Sequence, residues 1–227
     1  MPGLAWPLDL RPHPRAKAMR LRLDEARERL ILSFPRRMSR RTALDWAQGQ
    51  RDWVDAQLAK IQPGEPFVPG AEIPVEGRLV LLHWRPSLPR TPRLSAEVLS
   101  CGGLESAFAG RVERFLRGEA RQRLSKETAD AARRAGVSVK SVAVGDASSR
   151  WGSCSAAGAI RYNWRLLLAP PHLLRWVVAH EVAHRRHMDH GPPFRALEAE
   201  LYDGNVVAAR AELRALGPRL KRVGRPL

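Results

Sequence analysis

Near the start of the chain, apolar and polar residues alternate in two short segments, AMRLRL and RLILSF, on either side of the charged run DEARE. A period of two lines up leucines on one face of a strand, so the pair is expected to form a β-hairpin. The period then lengthens. In SRRTALDWAQGQRDWVDAQLAKI, residues Leu44, Ala47, Trp53, Val54, Leu58 and Ile61 recur every three to four positions. Ser39 is placed to cap this helix and Pro63-Gly64 to end it, with Trp46 and Trp53 expected in the core. Residues 65–84 interleave Pro and Gly turns with β-rich pieces. The looser stretch RPSLPRTPRLSAEVLSCGG follows and is the expected boundary between an N-terminal β-rich region with a helix, 1–103, and a second domain, 104–227.

In the second half, the segment from Leu104 to Ala135 is helical in pattern, with Phe108, Val112, Phe115, Leu116 and Leu124 on its apolar side and Gly136 at its end. VSVKSVAVGD alternates as a strand, and RWGSCSAAGAIRYNWRLLLAP reads as strand, turn through Gly158, and strand. Pro170-Pro171 stops it and suits the first turn of the next helix, PHLLRWVVAHEVAHRRHM, expected to run up to Asp189; PFRALEAELY is a further helix. The fold class expected from this order is α+β.

Composition adds limits. The chain has 227 residues and 44% hydrophobic composition, enough for a real core. No apolar run reaches the ~18 residues of a membrane span, and the first residues lack the basic and apolar regions of a signal peptide, so a cytoplasmic protein without membrane contact is expected. Cys101 and Cys154 form no CxxC and are expected as two reduced thiols. The net charge of +16 is concentrated in residues 11–41, including Arg36, Arg37, Arg40 and Arg41, and in the tail RLKRVGRPL. Nucleic acid or another polyanion is therefore a candidate partner, although an excess of Arg over Lys is also what a bias in base composition leaves, and no stacking aromatics are interleaved.

The densest chemistry lies in HEVAHRRHMDH, residues 180–190; five of the chain's seven histidines fall between 172 and 190. His180 and His184, four apart on a helical segment, differ by ~40° around the axis, so both imidazoles reach one point. Zinc takes neutral imidazoles, and a catalytic site uses three protein ligands with one position left for water. Glu181 need not be a ligand. A carboxylate there can take a proton from the attacking water and later deliver it to a leaving amine. The third ligand is open on these residues alone. His187 shares the helical face if the helix continues, but three ligands strung along one straight face do not converge. His190, beside Gly191 and Pro192 where the chain can turn back, is favoured; Glu198 or Glu200 remains as a ligand or as an acceptor for a ligand N–H. His172, near the helix start, is expected at the surface.

SRWGSCS, YNWRLLLAPP, VVAHEVAH and MDHGPPF, in this order, resemble the YgjP-type small metallopeptidases, a group related to SprT-like and WLM proteases. The resemblance implies a zincin-like fold, zinc as the metal, His180, His184 and His190 as ligands and Glu181 as base. The spacing also resembles that of metzincins, whose motif has glycine where this chain has His187. Residues 150–154, with Arg150, Trp151 and Gly152, are expected to form a strand bordering the cleft, where an extended polypeptide could add main-chain hydrogen bonds. The competing reading has Trp151 and Trp164 packing under the active-site helix and Gly152 permitting close backbone approach. Arg150, Arg161 and Tyr162 are all candidates to stabilise an oxyanion. The expected function is zinc-dependent hydrolysis of peptide bonds. The alternatives are a metal-dependent nucleotide phosphohydrolase, disfavoured because Mg²⁺ sites prefer carboxylates, and a nucleic-acid-binding protein with structural zinc, which would need a fourth protein ligand.

Overall fold

The expected hairpin is present in the computed structural model, which describes residues 4–24, 28–60 and 63–226; part of its turn lies outside the described residues. Strands β1 (Leu8–His13), β2 (Arg20–Asp24) and β3 (Arg29–Pro35) form a sheet of order β1-β3-β2. β1 runs parallel to β3 and β2 antiparallel to it. Leu32 and Phe34 of β3, with Leu8, Leu10 and Leu21, pack against Ala43 and Ala47 of helix α1 (Arg40–Gln48). Ser39 caps that helix, its Oγ accepting from the Thr42 N–H at 3.0 Å. The single helix expected here is two: α1 stops at Gly49 and α2 (Arg51–Leu58) begins after Gln50. Glycine forfeits helix propensity, and the interruption at Gly49-Gln50 breaks the continuous helical register that placed both tryptophans on one apolar face. Trp46 is packed against the core and Trp53 is 41% exposed, correcting the expectation that both are buried. Ile61 lies outside the described residues.

Contacts divide the chain into two compact units, Met1–Pro63 and Gly64–Leu227. The proline-rich stretch around residues 85–103 thus falls inside the second unit and not between units. The reason is a shared core. Strands β4 (Glu72–Val75), β5 (Arg78–Trp84), β6 (Arg93–Ser95) and β7 (Val98–Cys101), in the order β4-β5-β7-β6, send Ile73, Val80, Leu82, Leu99 and Cys101 into one buried cluster with Val112, Leu116 and Leu124 of α3 (Phe108–Ala135). A sheet with one apolar face must bury it, and the long helix belongs to the same cluster. α3 ends at Gly136 as expected, and its φ of 63° is the left-handed conformation that glycine adopts readily as a helix cap.

The third sheet, β8 (Ser141–Gly145), β9 (Gly152–Cys154) and β10 (Ala159–Asn163), has the order β8-β10-β9. β10 is parallel to β8 and antiparallel to β9, which leaves β9 at the edge. The second strand expected to continue to Ala169 ends at Asn163. Trp164–Leu168 is a 3-10 turn whose residues are all buried. Helices α4 (Pro171–Ala183), α5 (Pro192–Tyr202) and α6 (Val206–Arg222) follow, the last not anticipated from the sequence. α4 begins at proline as expected but stops at Ala183, not Met188: Arg185 and Arg186 donate to carbonyls three residues back, tightening the final turn. Among the described residues the architecture is mixed α+β, with six helices and three small sheets, and no helix is long and apolar enough to cross a membrane. Cys101 and Cys154 are both free thiols.

Candidate active site

Leu173, Leu174, Val177, Val178 and Val182 bury α4 in the core of the second unit, so its last turn is held from below. That turn carries His180 and His184, whose rings meet edge to face with centroids 5.0 Å apart. Because the helix stops, the chain reverses through residues 185–191 and brings His190 back. A ligand nitrogen from each of His180, His184 and His190 lies within 4.8 Å of the others, and the His190 and His180 Nε2 atoms are 3.4 Å apart. His187 is not in this group; its carbonyl accepts from His184 Nδ1 at 3.1 Å. Its backbone does not enter the left-handed region, so the glycine of the metzincin spacing is not needed here.

The outward nitrogens of the two helical histidines are both engaged. His180 Nδ1 meets Glu198 Oε1 at 2.8 Å, and Trp176 Nε1 donates to the same oxygen at 3.1 Å. Such bonds fix the tautomer that leaves Nε2 with a free lone pair. Burial raises the Glu198 carboxyl, yet the hydrogen bond and charge of His180, with the Trp176 N–H, hold it below its ordinary value. Burial lowers His184, favouring the neutral ring that a metal requires. Phe194 of α5 touches all three imidazoles, at 5.1, 4.6 and 4.7 Å between centroids. Of the carboxylates weighed from the sequence, Glu198 is thus the partner of a ring N–H, while Glu200 is exposed and is not a member of the group. His172 pairs with Glu212 at 2.7 Å, away from this cluster.

Glu181 is 5% exposed, and burial pushes its carboxyl up to about 7 against the opposing pull of His180 and Arg150. Its neighbour is the edge strand. A Cβ on Gly152 would stand 2.4 Å from Glu181 Oε1, so only glycine lets β9 lie this close to the carboxylate. The Asn163 N–H donates to the Trp151 carbonyl and the Ser155 N–H to the Ala159 carbonyl. Hydrogen-bonding direction alternates along an antiparallel strand, so the peptide groups of Gly152 and Cys154 turn toward the open edge beside Glu181.

The remaining sequence candidates separate. Tyr162 is buried, its hydroxyl 3.0 Å from that of Thr128 and its ionisation suppressed, so it is committed to the core. Arg161, next on β10, lies over Gly145 on the opposite face. Arg150 is exposed and close enough to act on Glu181 electrostatically. Trp151 faces away from Gly152, packing on Gly217 under the Lys221 ammonium, 5.2 Å from its ring. Trp164 is wholly buried, stacked by Arg165 at 4.5 Å. Phe194 and Trp176 were not singled out from the sequence. The available signal was spacing: Trp176 precedes His180 by four positions and Phe194 precedes Glu198 by four, so each pair shares a helical face.

The family model for the YgjP-like metallopeptidase domain matches residues 17–216. The chain belongs to this family. No curated protein and no solved structure matches it. Membership supports a hydrolase of the peptidase class and implies a divalent metal. The three-histidine group fits that requirement: its donors are imidazole nitrogens, two of the rings are tied back from behind, and His190 lies on the exposed side where a substrate can approach.

Proposed function

We propose that this YgjP-like protein is a zinc-dependent peptidase of zincin-like construction, with His180, His184 and His190 holding the ion and Glu181 as the general base. The observation that carries the reading is the meeting, at one point, of three imidazoles, a buried carboxylate and an open strand edge. Imidazole donors in a group of three, with no carboxylate among them, suit zinc better than magnesium. When bound, zinc supplies Lewis-acid polarisation of the scissile carbonyl and makes water more acidic. Glu181 takes a proton from the attacking water and passes it to the leaving amine; a carboxyl raised to about 7 is suited to both transfers near neutral pH. The outward peptide groups of Gly152 and Cys154 pair with an extended segment of substrate, aligning its carbonyl with the site. Arg150 stabilises the oxyanion. An edge strand admits only an extended chain, which points to unfolded or flexible polypeptide, and two free thiols suit the reducing cytoplasm.

The test is metal analysis followed by parallel incubation with unfolded polypeptide and with nucleoside triphosphates. Loss of zinc by His190→Ala with near-normal retention by His187→Ala, and cleavage of polypeptide alone, is the expected outcome. Equal retention by His190→Ala and the unaltered chain sinks the ligand set; triphosphate hydrolysis that disappears with Glu181→Gln assigns the site to the phosphohydrolase alternative.

A further inference from the structure

The first unit contains an arrangement that peptide hydrolysis does not use. Because β1 is parallel to β3 and β2 antiparallel to it, the end of β1, the start of β2 and the end of β3 lie together: His13 pairs with Pro35 and Arg20 with Ser33. Arg15 and Lys17 belong to the short link between β1 and β2, Arg36 and Arg37 follow β3, and Arg40 and Arg41 open α1. Topology thus gathers Arg15, Lys17, Arg20, Arg36, Arg37, Arg40 and Arg41 at one end of the sheet, all of them exposed. Among the described residues none of these cations is in an ion pair. The carboxylates of the sheet lie toward the other end, Asp9 opposite Ile31 and Asp24 opposite Arg29.

Two features of this cluster go against local preference. The first turn of α1 holds two arginines and no acidic residue, although the helix dipole favours anions there. Seven like charges also repel one another across one end of a small sheet. Both conflicts are relieved by phosphate groups, which arginine grips through paired N–H donors.

We propose that this end of the first unit binds the phosphate backbone of nucleic acid, independently of the peptidase site. The side chains define the mode. Among the described residues no Phe, Tyr or Trp is exposed at this end of the sheet, and the lone exposed imidazole of His13 is too little for a stacking platform, so the surface reads charge and not sequence. A membrane surface fits less well, because among the described residues of this unit the exposed large apolar side chain is Trp53, on α2 and not in the cluster, which leaves the cluster no such side chain to insert between lipids.

Anisotropy of a labelled DNA duplex with the full chain, at about 50 and 200 mM salt, tests the proposal. Each phosphate contact contributes about 0.9 to the slope of log affinity against log salt. Replacing Arg36, Arg37, Arg40 and Arg41 by alanine should lower that slope by up to about 3.6 and weaken binding at low salt more than tenfold. Replacing the same four by lysine should keep the slope, as should a control with Arg90→Ala and Arg93→Ala, two exposed arginines of the other unit. Arg37→Glu, outside the helix, should act in the direction of the alanine set without burdening the fold. Peptide cleavage should be unchanged by the four alanines, which separates this result from the fate of the zinc site. No binding at low salt, the same slope in the alanine set and the control, or tighter binding to phosphatidylserine vesicles or to polyglutamate of equal charge overturns the proposal.

Discussion

At Glu181 burial outweighs charge: the carboxyl sits near 7 although His180 and Arg150 both pull it down. In metal-free protein this has a sign. The folded value lies above the ordinary one of about 4.3, so the contribution of Glu181 to stability is complete below pH ~4.3 and is lost as pH rises through about 7. Glu181→Gln, which carries no charge, should therefore gain on the unaltered chain by up to roughly 3 kcal/mol between pH 4.5 and pH 8. Urea melts of chelator-treated protein at those two pH values measure this, and a difference that does not change with pH refutes it. With zinc restored, the same variant should keep its metal and its fold but lose peptide cleavage by roughly two to four orders of magnitude, the scale of general acid–base catalysis. Retained activity would move proton transfer elsewhere, and lost zinc would make Glu181 a ligand. Gly152→Ala is a companion test. Its Cβ would meet Glu181 Oε1 at 2.4 Å, so the carboxylate must shift; metal content should hold while kcat/KM falls at least about tenfold, the scale on which small misplacements act.

Elements supply what the residues lack. α5 contributes no member of the three-histidine group, yet Phe194 walls it and Glu198 holds the His180 ring from behind. Glu198→Ala removes an acceptor shared by His180 and Trp176 and should weaken metal affinity by about 10–100-fold, read by competition with a coloured chelator. Unchanged affinity would reduce Glu198 to a packing residue. On the far side of the sheet, Asp146 pairs with the buried Arg165 and with Arg225 at 2.8 Å, while Arg165 Nε donates to the Val223 carbonyl at 2.9 Å. These bonds fasten the end of the chain to the turn that precedes α4. Desolvation pulls Arg165 down to about 10, which still leaves it charged at neutral pH. Asp146→Ala strands that charge in the interior and should cost about 3 kcal/mol in denaturant unfolding, whereas a surface pair such as Arg51 with Asp55 should cost under about 1. Similar losses in both would mean that Arg165 regains water when its partner goes.

Across the whole molecule, metal binding should be felt unequally. The three histidines span α4, the reversing chain and the approach to α5, all within the second unit, so an ion held among them joins segments of that unit alone. By mass action, free metal at about 1,000 times Kd should stabilise it by about 4 kcal/mol. Hydrogen exchange on the full chain, with and without zinc, should show added protection in peptides covering residues 180–198 and none in those covering residues 8–58. Protection spread equally over both would mean that the units unfold as one.

Local patterns were legible because their causes are local. The alternation of AMRLRL and RLILSF became β2 and β3, Ser39 capped α1, Gly136 took its left-handed cap and Pro171 opened α4. The candidate site was legible for a related reason: a four-residue spacing on a helix puts His180 and His184 together whatever surrounds them. Tertiary structure decided the rest. Gly49 broke one helical pattern into two, and α4 stopped short of His187, since carbonyls in a final turn take whichever donors the folded chain brings. That stop is what returns His190 to the other two histidines. The pairing of Glu198 with His180, the nearness of Gly152 to Glu181 and the gathering of seven cations at one sheet end join residues distant in the chain. Periodicity tells which face of an element is buried, but the partner of that face is chosen by packing among elements, and no single segment encodes it.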